Sequence, residues 1–172
     1  TPFVSPRRLR FDSKGNLWVP SYAEGTINRF DTRTMEWKES LAIPIDPIGS
    51  EVPYAVFVDH KTDHVWITGT QSDTIIRYAP ESERWTFYPL PTLVTYTREL
   101  DMSADGAVWT SHSSSPAWHV EGGIPKVTRL DPAGAPDIEA SGLFDGTRPA
   151  KPEAPEPVES LPDDVVAEAG AP

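Results

Sequence analysis

Cysteine is absent from this 172-residue chain. That excludes a disulfide framework and thiol chemistry, and it leaves the redox compartment undecided. No stretch of 18 or more apolar residues is present, so nothing reads as a membrane-spanning helix. No run keeps the helical period for three turns. The Gly-x-Ser-x-Gly elbow and the phosphate-binding glycine loop are also missing, which removes two common catalytic classes. Basic residues are few: 15 Lys and Arg face 26 Asp and Glu, for a formal charge of −11. Such a balance argues against a general nucleic-acid binder, which presents a basic face to phosphates. The chain begins at Thr1 rather than Met and shows no apolar signal-peptide core, so a processed or truncated start is expected.

The acidity is unevenly placed. Residues 145–172 carry seven acidic and two basic side chains, six prolines and no aromatic residue. Such a composition buries too little apolar surface to offset the entropy of ordering. Residues 144–172 are therefore expected to form an extended acidic tail, polyproline-like over Pro152–Pro157. It would be either a solvated terminus or a strap along a partner, with Leu161–Val166 as the anchoring patch.

What the chain does have is a repeat. Trp18, Trp66 and Trp109 recur at spacings of 48 and 43 residues in near-identical settings. The first copy reads Leu9-Arg10-Phe11-Asp12, a Lys14-Gly15 turn, Leu17-Trp18-Val19, then Arg29-Phe30-Asp31 and Trp37, closing at Ile43-Pro44. The second reads Val56-Phe57-Val58-Asp59, a turn, Val65-Trp66-Ile67, then Arg77-Tyr78 and Trp85, closing at Leu90-Pro91. In both, Arg follows the first Trp by eleven positions and the second Trp follows eight later. A third copy contains Asp105-Gly106 and Val108-Trp109-Thr110, and reaches Arg129 only after nine extra residues. Short segments rich in β-branched and aromatic residues, bounded by turn residues, read as strands. Three are evident per copy, with a fourth near Met35–Leu41 and Glu83–Tyr88. The fold class is all-β: a β-propeller with about three four-stranded antiparallel blades over 5–48, 52–94 and 96–143. The large aromatic residues Trp18, Trp66 and Trp109 are expected to be buried between blades, with Trp37 and Trp85 as further structural residues. A β-sandwich would show short strands too, but not the repeated Trp, Arg, Trp spacing.

The segments Gly15–Trp18, His64–Thr68, Asp73–Tyr78 and Asp105–Thr110 resemble blades of the streptogramin (virginiamycin) B lyase family, with NHL and SMP-30 propellers as cousins. The resemblance covers about residues 5–132. It implies a propeller fold and a site at the mouth of the central channel. That site would hold a His just after the blade-opening Pro, Glu three positions past the blade Trp, and magnesium. This chain departs from that set. After the opening positions stand Arg7, Tyr54 and Arg98; three residues past each Trp stand Ser21, Gly69 and His112. No carboxylate occupies a ligand place, and magnesium needs oxygen ligands. A lactonase-type site would need clustered Glu, Asn and Asp that are likewise missing. No metal and no cofactor are expected. Arg7, Tyr54, Arg98 and His112 are left as an axial cluster that would hold an anion or a partner carboxylate, or would simply fill the channel and pair with acids such as Glu99.

Two further features bear on function. Asp59–His64 has the look of a metal cluster but aligns with the hairpin turns of the other copies, so it is expected to be a turn. The insertion Ser113–Gly123 interrupts the repeat, and long loops tend to carry function. Its Trp118, His119 and Glu121 are interface candidates, Trp being enriched in binding hot spots; Trp118 could equally cover the rim of its own blade. Closed propellers use about four to eight blades, so either the rest of the ring lies in other sequence or the open edges of three blades are capped by another copy or by other subunits; in each case they present strand edges or faces to something. The expectation is a non-catalytic accessory or scaffold subunit bound to other protein subunits in a larger assembly. A membrane-bound electron-transfer or photosynthetic complex is one such context. By analogy with largely secreted relatives it would be extracytoplasmic, in the periplasm. The alternative is a lyase or lactonase whose catalytic blades lie in other sequence.

Overall fold

The computed structural model describes residues 3, 5–45, 51–112 and 126–134. These form three antiparallel meanders and, among the described residues, no helix. The first blade runs β1 (Arg10–Phe11), β2 (Asn16–Ser21), β3 (Thr26–Asp31), β4 (Glu36–Ala42). The second runs β5 (Pro53–Asp59), β6 (His64–Gly69), β7 (Thr74–Ala79), β8 (Arg84–Pro89). In the third, β10 (Val108–His112) lies between β9 (Thr97–Met102) and β11 (Val127–Leu130). The fourth strand expected for this blade and the expected tail from residue 144 fall outside the described residues.

Each hairpin among the described residues closes on one residue in the left-handed region. Gly15 (φ 82°), Asp63 (φ 55°) and Gly106 (φ 85°) end the first turn of successive blades; Gly25 (φ 65°) and Asp73 (φ 55°) end the second. Glycine takes this conformation without a Cβ clash, and Asp tolerates it better than most residues. The segment 59–64 is thus the β5–β6 turn, as its alignment implied: Asp59 caps it by accepting from the Lys61 amide (3.0 Å) and the Thr62 hydroxyl (2.8 Å).

Alternation along the strands sends neighbouring side chains to opposite faces. Trp18 and Ile27 of the first blade pack with Val56, Val58, Val65, Ile67, Ile76, Tyr78 and Phe87 of the second. Trp66, Ile75 and Tyr88, on the second blade's other face, pack with Leu100 and Val108 of the third. Ile75 and Ile76, adjacent in sequence, therefore serve different interfaces. Trp85 lies 4.6 Å from Tyr78, while Trp37 lies 4.9 Å from Phe30 and 4.8 Å from Phe3 between ring centroids. The first strands lie side by side: Arg8 forms a parallel bridge to Ala55, and β5 packs on β9.

One burial expectation fails. Trp18 and Trp66 are 1% and 3% exposed, but Trp109 is 39% exposed. The rule is translational: each blade Trp is covered by the next blade. Among the described residues nothing follows the third.

Candidate functional site

The face bearing the β2–β3 and β6–β7 turns gathers residues from all three blades. Residues 5–7 pair with the end of β2: the Arg7 amide donates to Pro20 O (3.0 Å), and the Tyr22 amide to Ser5 O (2.9 Å). The next link ties the first blade to the second, Arg8 N to Tyr54 O (3.1 Å) and Val56 N to Arg8 O (3.2 Å). A register irregularity between Pro53 and Val56 interrupts the β5–β6 ladder. There the Thr68 hydroxyl accepts from the amides of Tyr54 (3.2 Å) and Ala55 (3.0 Å). Such irregularities re-aim side chains, and this one carries Tyr54.

Three of the four expected axial residues meet. The Arg7 guanidinium lies 5.1 Å from the Tyr22 ring centre and 5.7 Å from that of Tyr54; Arg98 lies 5.7 Å from Tyr54 and 4.6 Å from Tyr96. Tyr22 and Tyr54 pack edge to face at 5.9 Å, and the hydroxyls of Tyr22 and Tyr96 are 3.1 Å apart. Hydrogen bonding from Tyr22 and from Arg98 holds the Tyr96 hydroxyl below its ordinary pKa despite burial, and the positive charges of Arg98 and Arg7 act the same way. Tyr22 moves up, through its bond to Tyr96 and through burial. Glu99 pairs with Arg8 and Arg10. Arg7 and Arg98 make no ion pair among the described residues, and Arg98 Nε is buried without a hydrogen-bond partner.

His112 does not join this group. Its Nδ1 faces the Thr92 hydroxyl (3.3 Å) and its Nε2 the Thr128 hydroxyl (3.0 Å). Burial, with help from Lys126 and against Asp73, pushes its pKa down. The positions implied as magnesium ligands do not fit that ion. Ser21 donates to Glu24, Gly69 offers no side chain, and His112 is engaged at both nitrogens. Among the described residues no group of three or more His, Asp or Glu side chains could hold a metal. Trp118, His119 and Glu121 lie outside the described residues.

Tyr22 and Tyr96 were not anticipated. Both stand in connections outside the matched motif, and their only sequence signal is tyrosine placed close to an arginine-bearing blade start.

Each blade also repeats a Trp–Arg stack. Arg29 lies 5.7 Å from the Trp18 ring centre, Arg77 5.6 Å from Trp66, and Arg129 5.9 Å from Trp109. On the third blade Trp109, with Asp101 and Val127, borders a groove of about 190 Å³.

Three meanders packed face to face, each with a Trp–Arg stack that in the first two lies beneath the next blade, define a β-propeller segment. Solved structures of the same fold are similar to it. A streptogramin B lyase aligns at 16% identity and a TM-score of 0.63, over 78% of this chain and 40% of the lyase. Virginiamycin B lyase from Staphylococcus aureus aligns at 14% and 0.56, over 73% and 41%. Regucalcin from Agrobacterium tumefaciens, a calcium-binding protein, aligns at 14% and 0.51, over 76% and 41%. The chain thus spans about two fifths of the length of these structures, and at such identities the likeness concerns the fold. No protein-family model and no curated protein sequence matches the chain.

Proposed function

We propose that this chain is a non-catalytic propeller that binds other protein subunits, acting as an extrinsic accessory or scaffold subunit of a larger extracytoplasmic assembly. The observation that carries the reading is the outward face of the third blade. Its Trp109–Arg129 stack has the geometry of two others that are covered by a neighbouring blade, yet Trp109 is 39% and Val127 70% exposed. An uncovered aromatic anchor beside an arginine is the composition of an interface hot spot. Of the residues in place of the lyase set only His112 is a base, with both ring nitrogens facing threonine hydroxyls, and none is a carboxylate, which favours binding over ring opening.

The test compares the wild-type chain with Trp109→Glu. The wild type is expected to co-elute with a larger assembly, and the variant to elute as a folded, free chain. Equal co-elution would count against this face. A second reading, a share in a lyase, draws on the likeness to streptogramin B lyase. Magnesium-dependent opening of a streptogramin B ring, abolished by His112→Ala, would establish it and overturn the non-catalytic assignment.

A further inference from the structure

We infer that Arg7 and Arg98, with Tyr22, Tyr54 and Tyr96, form a binding site for a phosphate group, free or carried by a small molecule. The site lies on the face bearing the β2–β3 and β6–β7 turns. The inference is independent of whether the third blade docks a partner.

The first argument is a contrast within the molecule. A guanidinium stacked on a ring keeps its in-plane N–H edge for an acceptor. Elsewhere among the described stacks a terminal nitrogen of that edge is taken, although the Nε of Arg29 is, like that of Arg98, buried without a partner. Arg8, over Tyr54, pairs with Glu99; Arg29, over Trp18, with Glu39; Arg129, over Trp109, with Asp105 at 3.0 Å; Arg77, over Trp66, donates to the Thr86 hydroxyl at 3.2 Å. Arg7 and Arg98 are stacked in the same way on a shared tyrosine, but have no carboxylate partner among the described residues. In Arg98 the consequence reaches the interior, because its buried Nε–H lacks an acceptor. A buried N–H left unpaired costs about 1–3 kcal/mol, more for a charged group. Glu99, next to Arg98 in sequence, is already held by Arg8 and Arg10.

The second argument selects the ligand. Two guanidinium groups bring two positive charges and two donor forks to one place. A carboxylate has a single charge and two oxygens, which one fork satisfies. A phosphate monoester carries about −1.5 to −2 charges near neutrality and three acceptor oxygens, matching both arginines at once. The tyrosine hydroxyls add donors at the rim. Three blades contribute to the site, so its geometry is set by inter-blade packing rather than by one loop.

The test is titration of the full 172-residue chain, following the arginine Nε–H resonances by NMR at constant ionic strength. Inorganic phosphate, glycerol phosphate and acetate are the probes. Both phosphate probes are expected to shift the Arg98 resonance saturably, with acetate far weaker. The tighter of the two identifies free anion or organic ester as the source. Arg7→Gln, at an exposed position, should weaken binding about tenfold. Arg7→Lys should recover only part, since it restores the charge without the fork. Arg129→Gln should leave binding unchanged. If Arg98→Gln fails to fold, the Arg7 pair still decides. Absence of a saturable shift, equal affinity in Arg7→Gln, or acetate binding as tightly as phosphate would overturn the assignment.

Discussion

Replacing each blade tryptophan by phenylalanine separates a polar term that the repeat hides. Trp18 and Trp66 are equally buried, so Trp→Phe removes similar apolar volume at both and the cavity terms nearly cancel. Their indole N–H groups differ. Trp18 Nε1 donates to Asp12 at 3.2 Å, whereas Trp66 Nε1 is buried without a partner. The cause is one residue. Five residues separate the paired Phe11 and Leu17, and five separate Met102 and Val108; six separate the equivalent Val58 and Val65, and there the pairing continues to Asp59 and His64. The longer turn takes Asp59 away to cap Lys61 and Thr62, and His60 turns to Phe11 O at 2.9 Å. Trp18→Phe therefore loses a hydrogen bond to a carboxylate, about 1–2 kcal/mol given that Asp12 keeps three other donors. Trp66→Phe removes an orphan donor and regains about 1–2 kcal/mol. Urea unfolding should thus place Trp18→Phe about 2–4 kcal/mol below Trp66→Phe, with unchanged m-values. Truncation to Ala should cost about 3–5 kcal/mol at Trp66 and far less at Trp109. Trp18→Phe and Trp66→Phe of equal stability would refute the orphan indole and the turn-length explanation with it.

Asp63 pins the first two blades, accepting from the Ser13 amide (2.9 Å) and hydroxyl (2.8 Å) and pairing with Lys14 (3.3 Å). Burial would raise its pKa, but these partners prevail and lower it. Its contribution is complete above the unfolded value of about 3.9 and is lost as pH falls through the folded one. Asp63→Asn should be about 1 kcal/mol less stable at neutral pH, with the difference vanishing on acidification; a constant gap would refute the pin. For His112 the folded pKa is depressed by burial. Its contribution should be intact above about pH 6.5 and fall below it, as the unfolded state takes up the proton more readily. Chemical denaturation at pH 8 and pH 5.5 should show a smaller loss for His112→Gln than for wild type. Gly69→Ala would set a Cβ 2.9 Å from Thr74 O. The shift it forces should cost about 1–3 kcal/mol in thermal unfolding, and a neutral result would show that the β6–β7 turn yields freely.

The blades could be read from the chain because local rules and the global fold agree there. Trp, Arg and second Trp recur at spacings that place the first two in one stack and the third on the opposite face of its blade. Side-chain destinations that depend on the next element could not be read in this way. Trp109 has the same local sequence as Trp18 and Trp66, so its exposure follows from what lies beyond it. His112 sits three residues past a blade Trp, where the lyase resemblance implies Glu, and threonines from the connection and from β11 hold both its nitrogens. Of the site, Arg7, Tyr54 and Arg98 were visible as residues at blade starts. Tyr22 and Tyr96 were not, since turns carry no periodicity to count.

Asp73 explains how such a turn residue comes to be held in the site. In the first blade the corresponding position is Gly25, whose carbonyl accepts the Ile43 amide at 3.0 Å. Asp73 keeps the same left-handed backbone and the same bond, to Leu90 at 2.8 Å, and adds a carboxylate. That carboxylate accepts from the Val94 amide (2.8 Å), the Thr95 amide (2.7 Å) and the Thr95 hydroxyl (2.8 Å). The connection into β9 is thereby fixed with Val94 at φ 55° and Tyr96 at φ 47°. A β-branched residue and an aromatic one in this region are each strained by about 1–3 kcal/mol, and charge-assisted bonds of about 1.5–3 kcal/mol apiece are sufficient to hold them. The first blade, closing on glycine, has no such clamp. The strained Tyr96 is the residue whose hydroxyl meets Tyr22 and whose ring supports Arg98, so the substitution of Asp for Gly at one hairpin position links blade packing to the geometry of the arginine site.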